Sequence, residues 1–228
     1  MKQVWRDLLF LHWKVNRDLL QSKIPYPLEL DLFENQAWIG IVPFRMEGIR
    51  PRLFPALPWI SAFPELNVRT YITYKGKPGV WFFSLDAGNP LAVEIARTFF
   101  HLPYFNAEMI CEKKENQIQY FSKRKDKRGE DACLEMSYKP TSEIYFAQKG
   151  NLEHWLTERY SLYASNKKGN IFRGDIHHLP WSLQKAEANI IQNTMGIAHG
   201  ITLPDEKPIL HFIDKLEVGI YWLEKVFP

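Results

Sequence analysis

The chain has 228 residues, with 29 Lys and Arg against 26 Asp and Glu and a formal net charge of +3. That length suits one large domain over residues 1–228 with a sizeable core, and so even a charge balance excludes the basic footprint of a nucleic-acid binder. Cys111 and Cys133 are too few for a disulfide framework, no apolar run reaches membrane-spanning length, and Met1 to Asp7 lacks a signal-peptide pattern. A cytoplasmic protein that engages neither nucleic acid nor membrane is expected. With 8 Trp, 10 Tyr and 15 Phe, the aromatic load favours strands and suits both a filled core and a concave ligand site.

Leu8 to Trp13 reads as a strand. Asn16 is placed to cap a short helix over Arg17 to Lys23, which must stop before Pro25. Trp38 to Phe44 reads as a buried strand, and Arg50 to Pro64 as a Pro-rich, aromatic loop that could form a lid or rim. Asn67 to Tyr74 and Val80 to Leu85 form a hairpin about the turn Lys75-Gly76-Lys77-Pro78. Asn89 as N-cap and Pro90 at the first position start a helix that runs to about His101. Gln117 to Lys123 and Ala132 to Tyr138 form a second hairpin, and the basic run Lys123 to Arg128 between them reads as a solvated loop. Asn151 caps a helix whose spacing continues through Tyr163. Ile171 to His178 is extended, Leu183 to Gln192 fits helix or strand, and Glu217 to Leu223 is a closing strand. Many short strands with few helices predict a β-rich α+β fold, a barrel or a twisted sandwich.

Glu65-Leu66-Asn67-Val68-Arg69 is the sharpest polar pattern. If the strand begins at Glu65, then Glu65, Asn67, Arg69 and Tyr71 share one face, and Val68, Thr70 and Ile72 the other. A polar row in so apolar a chain is either a ligand-facing site or a solvent-facing or register-fixing ladder. Phe83 to Pro90 leads a strand into a helix N-terminus, where Asp86 would stabilise the positive end and Ser84 joins the ligand-binding candidates. His154 and Glu158 have metal-ligand spacing without a third ligand, so no metal and no cofactor is expected. Glu158-Arg159-Tyr160 is a further polar cluster without an assigned role.

Trp5-Arg6-Asp7-Leu8-Leu9, Val42-Pro43-Phe44-Arg45, Ser61 to Tyr71, Phe82 to Asp86, Leu152 to Tyr163 and Gly174 to Trp181 together resemble the bacterial YqjF-like family over essentially the full length. Ile24 to Asp31 and Asn89 to Arg97 more distantly resemble acetoacetate decarboxylase over the first half. That resemblance implies a closed β-barrel with a few peripheral helices, a mostly apolar pocket and a homo-oligomer. It places Arg6 on the arginine that meets the substrate carboxylate and Glu65 on the pocket glutamate. Tyr104 falls on the Schiff-base lysine and Phe105 on the neighbour that activates it. Tyrosine forms no imine, so decarboxylation through that chemistry is not expected. The expectation is a small-molecule binder in which Arg6, Asn67, Arg69 and Ser84 hold a ligand with an apolar body and an anionic end. The alternatives are an enzyme with Glu65 as base and Tyr104 as acid, and a structural protein with a filled barrel.

Overall fold

Alternating apolar residues become long, strongly curved strands. The computed structural model describes residues 1–50 and 62–228. In chain order these hold β1 (Lys2–Val15), α1 (Arg17–Gln21), β2 (Glu29–Leu30), β3 (Ala37–Arg50), β4 (Phe63–Tyr74), β5 (Lys77–Ala87) and α2 (Pro90–Phe100). β6 (Tyr104–Lys114), β7 (Gln117–Arg124), β8 (Cys133–Pro140) and α3 (Leu152–Thr157) follow. The chain then forms β9 (Ser161–Ser165), β10 (Ile171–His177), β11 (Gln184–Asn193), a 3-10 turn at Ile197–His199, β12 (Ile209–Ile220) and β13 (Glu224–Phe227). Most of the loop expected over Arg50 to Pro64 lies outside the described residues; Phe63 and Pro64 already belong to β4.

The strands form one 13-stranded sheet that closes on itself twice. One ring runs from β5 through β6, β7, β8, β11, β12, β1, β3 and β4 back to β5. The other runs from β5 through β9, β10, β12, β1, β3 and β4 back to β5. β12, β1, β3, β4 and β5 are thus a common wall with a ring on each face. Pleating sends alternate side chains to opposite faces. Leu9, Leu11, Ile41 and Val68 pack with Tyr120, Leu134 and Met136 inside the first ring. Leu8, Phe10, Val42 and Phe44 face Leu85, Tyr104 and Trp181 in the second.

Two bulges reverse this alternation, because one inserted residue exchanges the faces of everything beyond it. In β1, Asp7 adopts φ 49° and the pairing with β3 slips between Arg6 and Leu11. Trp5 and Leu8 therefore point the same way. In β5 the pairing with β4 slips where Val68 gives way to Arg69, which puts Phe82 and Leu85 on one side.

All three expected helix caps form: Asn16 Oδ1 accepts from the Leu19 amide at 2.9 Å, Asn89 Oδ1 from the Ala92 amide at 3.1 Å, and Asn151 Oδ1 from the His154 amide at 2.9 Å. His101, at φ 52°, ends α2. Other expectations give way to tertiary pairing. The helix capped by Asn151 stops at Thr157, because Ser161 to Ser165 is drawn into β9 between β5 and β10. The ambiguous stretch after Leu183 is strand β11. The closing strand begins as early as Ile209, where β1 offers it an edge. β6 has no counterpart in the sequence reading. No helix among the described residues is long and apolar enough to cross a membrane.

The basic run after Lys123 is not uniformly solvated. Arg124 is buried, donating from Nε and Nη2 to the two carboxylate oxygens of Asp86 at 2.7 and 2.8 Å, with its guanidinium 4.2 Å from the Phe105 ring centre. Asp86 is thus committed to β7 rather than to the N-terminus of α2. Breaking this pair leaves a buried charge without its partner, so Arg124→Met is expected to cost about 3–5 kcal/mol. The double variant Asp86→Leu, Arg124→Met should recover much of that loss. Urea denaturation measures both; an Arg124→Met protein as stable as wild type would refute this account of the pair.

Candidate active site

The second ring is not filled. A cavity of about 440 Å³ lies between the common wall, β9, β10 and the inner face of α2. Trp5, Phe10, Phe44, Phe82, Phe100 and Trp181 supply much of its apolar lining. Polar groups come mainly from Glu65, Asn67 and Arg69 on one face of β4, from Tyr104 at the start of β6, and from Arg159 just after α3. A mostly apolar chamber with a few convergent polar groups is the usual form of a small-molecule site.

Arg69 defines one end. It is 7% exposed, and its guanidinium stacks 4.9 Å from the Phe10 ring centre and 5.8 Å from that of Tyr71. Nε and Nη2 are buried without an acceptor. Among the described residues no carboxylate pairs with Arg69, and residues 51–61 contain no Asp or Glu. Asn67 Oδ1, beside it on β4, also lacks a donor. Arg159 lies 5.0 Å from the Tyr71 ring centre but is held differently. It donates from Nη1 to Asp31 at 2.6 Å and from Nε to the Trp155 carbonyl at 2.8 Å, leaving Nη2 unpartnered. Behind the two arginines, Tyr71 donates to the Leu156 carbonyl at 2.9 Å, and its oxygen lies 2.6 Å from His12 Nε2. Burial, with His211 and Arg69 nearby, holds His12 well below its ordinary pKa and so uncharged.

Glu65 defines the other end. It is 2% exposed, and Oε2 accepts from the Tyr104 hydroxyl at 2.9 Å. Tyr120 donates to the Glu65 backbone carbonyl at 2.7 Å. Burial pushes the Glu65 carboxyl up to about 8, with the Tyr104 hydrogen bond opposing and Asp86 adding to the rise. Burial and Glu65 together push Tyr104 well above the ordinary tyrosine value. Near neutral pH this environment favours the protonated form of Glu65, with the Tyr104 hydroxyl donating to it.

Of the residues singled out in the sequence, the structure brings Glu65, Asn67, Arg69 and Tyr104 to one chamber. Arg6 is elsewhere. The bulge at Asp7 leaves Trp5 facing the cavity and Arg6 pointing away, 39% exposed at its side chain and donating from Nε to Glu47 at 2.8 Å. Ser84 faces the first ring, 3.0 Å from His199 Nε2, because the β5 bulge gives the cavity to Phe82 and Leu85. Phe105 packs between Arg97 and Arg124 outside the chamber. Arg159 stands within the Glu158-Arg159-Tyr160 cluster, to which the sequence by itself gives no role. Trp181, a wall residue whose indole Nε1 is buried without an acceptor, was visible only as part of a matching phrase.

Strand rings closed about an apolar chamber make this an acetoacetate-decarboxylase-like fold. The chain superposes on acetoacetate decarboxylase from Legionella pneumophila subsp. pneumophila str. Philadelphia 1 with a TM-score of 0.63 at 15% identity, over 99% of this chain and 87% of that one. The enduracididine biosynthesis enzyme MppR matches with a TM-score of 0.70 at 9% identity, over 99% and 89%. An acetoacetate decarboxylase-like enzyme from Sphingomonas wittichii RW1 gives 0.66 at 11% identity, over 99% and 92%. At such low identity these likenesses establish the fold alone. Residues 2–217 match the DUF2071 family, described as an uncharacterized conserved protein, and the chain belongs to that family. It is 50% identical over 222 residues to the uncharacterized protein YqjF of Bacillus subtilis (strain 168), covering 97% of this chain and 90% of that protein.

The Glu65 proton has a measurable consequence for stability. Native Glu65 keeps its proton up to about pH 8, whereas in the unfolded chain it is released near 4.5. The native state binds more protons through that window, so this group's contribution falls as pH rises from 4.5 to about 8 and is level above it. The slope is about 1.4 kcal/mol per pH unit. Glu65→Gln keeps an acceptor for Tyr104 and should remove the slope. Denaturant midpoints taken across the window test this, and parallel curves for variant and wild type would show that Glu65 is not held protonated.

Proposed function

We propose that this protein binds a small organic acid in the second ring, with the carboxylate on Arg69 and an apolar body against the aromatic walls. The observation that carries this reading is the unsatisfied Nε and Nη2 pair of a buried guanidinium that lines a cavity. A buried cation without a counter-ion costs several kcal/mol. A carboxylate accepting side-on from Nε and Nη2 would offset that cost with two parallel charge-assisted hydrogen bonds. Arg159 Nη2 offers one further donor beside the same tyrosine. MppR, which shares the fold, has been solved with pyruvate, an acid small enough to be enclosed in this way. The cavity also counts against a purely structural role, which would leave the second ring as filled as the first. Cys111 and Cys133, both free thiols, support a reducing, cytoplasmic setting.

A second reading, an enzyme, is favoured by the Glu65–Tyr104 pair. Among the described residues no lysine lines the cavity, so an imine route has no amine to use there. A carboxyl that holds its proton near neutral pH can instead act as a general acid toward a bound carbonyl.

Arg69 separates the binding reading from a structural one. Without ligand, Arg69→Met should be at least as stable as wild type and as much as about 1–4 kcal/mol more stable, since it exchanges an unpaired buried charge for apolar volume. Its affinity for a medium-chain carboxylate such as octanoate should fall roughly tenfold to a hundredfold. Arg6→Ala should leave that affinity intact. Thermal unfolding with and without the acid reads all three proteins; an Arg69→Met variant that loses stability yet still binds would defeat the proposal.

A further inference from the structure

The geometry points to a narrower ligand class: an acid that carries, well away from its carboxylate, an uncharged acceptor oxygen, such as a ketone, ester or amide carbonyl, placed against the Glu65 carboxyl. This rests on Arg69 as the carboxylate anchor and adds a second pole to it.

Glu65 and Arg69 lie on the same face of β4, so their Cα atoms are separated by about 13 Å of extended strand. Their heads do not meet. The guanidinium lies on Phe10 and Tyr71, while the carboxyl turns to Tyr104 on β6. A ligand that satisfies both must span the interval. In a short 2-oxo acid the carbonyl adjoins the carboxylate, so it can occupy one pole at most.

The chemistry of the second pole follows from its hydrogen bonds. Glu65 Oε2 is taken by the Tyr104 hydroxyl, and the described residues supply no partner to Oε1. With the carboxyl protonated, Oε1–H faces the chamber as a lone donor. The surrounding groups keep it so. Asp86 on β5 is an anion already committed to Arg124, and Tyr104 and Tyr120 are buried tyrosines held well above their ordinary values. Arg97 donates from Nη1 to the Tyr104 carbonyl at 2.6 Å and Arg124 is taken by Asp86, and among the described residues no cation pairs with Glu65 to favour its carboxylate form. A neutral carbonyl oxygen is the group that accepts from such a donor without bringing charge into a dry site. Between the poles, Phe44, Phe82 and Leu85 require an apolar linker.

The test compares octanoate with its analogue bearing a keto group next to the terminal methyl, by isothermal titration calorimetry. At about pH 6, where Glu65 is protonated, the keto acid should bind roughly threefold to tenfold more tightly, the worth of one neutral hydrogen bond. At about pH 10 that advantage should vanish in wild type, because an ionised Glu65 has no proton to donate. Glu65→Gln supplies an amide donor at every pH, so the advantage should persist and lose its pH dependence. Glu65→Leu should erase it, so that the variant binds the two acids equally. Equal affinity for the two acids in wild type, or a keto advantage that survives Glu65→Leu, would overturn the second pole while the Arg69 anchor stands. Failure of both acids to bind would remove the anchor and the second pole together.

Discussion

The structure depends on a wall that two rings must share. β12, β1, β3, β4 and β5 each present one row of side chains to a filled interior and the other to a chamber. A one-residue change of register exchanges the two rows, so tight packing in the first ring holds the second open. Leu9, Leu11, Ile41 and Val68 have no freedom to turn, because Tyr120, Leu134 and Met136 fill the space opposite them. The residues that alternate with them are thereby committed to the cavity whether or not they find partners there. This is how a folded chain can hold Glu65, Asn67 and Arg69 in an apolar setting: the stability that keeps them in place comes from the other face of the same strands.

Charge is treated differently on the two faces. On the packed side, Asp86 and Arg124 neutralise each other through two hydrogen bonds, and Phe105 closes over the guanidinium. At the margin of the chamber, Arg159 is paired with Asp31. Inside it, Arg69 is left with vacant donors and Glu65 avoids charge by keeping its proton. Proteins rarely leave buried cations unpaired, and they shift carboxyl groups this far mostly where burial is severe. The contrast within one molecule is what supports the proposed binding role of the chamber groups.

The resemblance to acetoacetate decarboxylase was a sound guide to architecture and a weaker one to which side chains face the chamber. It anticipated the closed strand ring, the apolar chamber and a glutamate in it. It also transferred Arg6 by its unbroken spacing, and there local geometry prevailed. Spacing along a strand predicts facing only if the pleat is unbroken, and Asp7 at φ 49° breaks it one residue later. Ser84 was displaced for the same reason by the bulge in β5. A bulge has a weak sequence signature when neither glycine nor proline marks it, and neither Asp7 nor Phe83 announces one.

The sequence by itself determined the strand-rich class, the caps at Asn16 and Asn89, the hairpin turn at Lys75-Gly76, and the polar row on β4, because each depends on local backbone chemistry or on the two-residue period of a strand. It could not show that Tyr104 opens a strand, that the helix after Asn151 yields to β9 within a few residues, or that Glu217 falls late in β12 rather than starting a strand. Those outcomes rest on which edges lie free for pairing, a property of the assembled sheet. The tertiary structure also decided the candidate site. Arg159 and Trp181 reach the chamber from segments far from β4 in the chain, and the proton on Glu65 exists because burial among distant residues removes the water that would otherwise stabilise its charge.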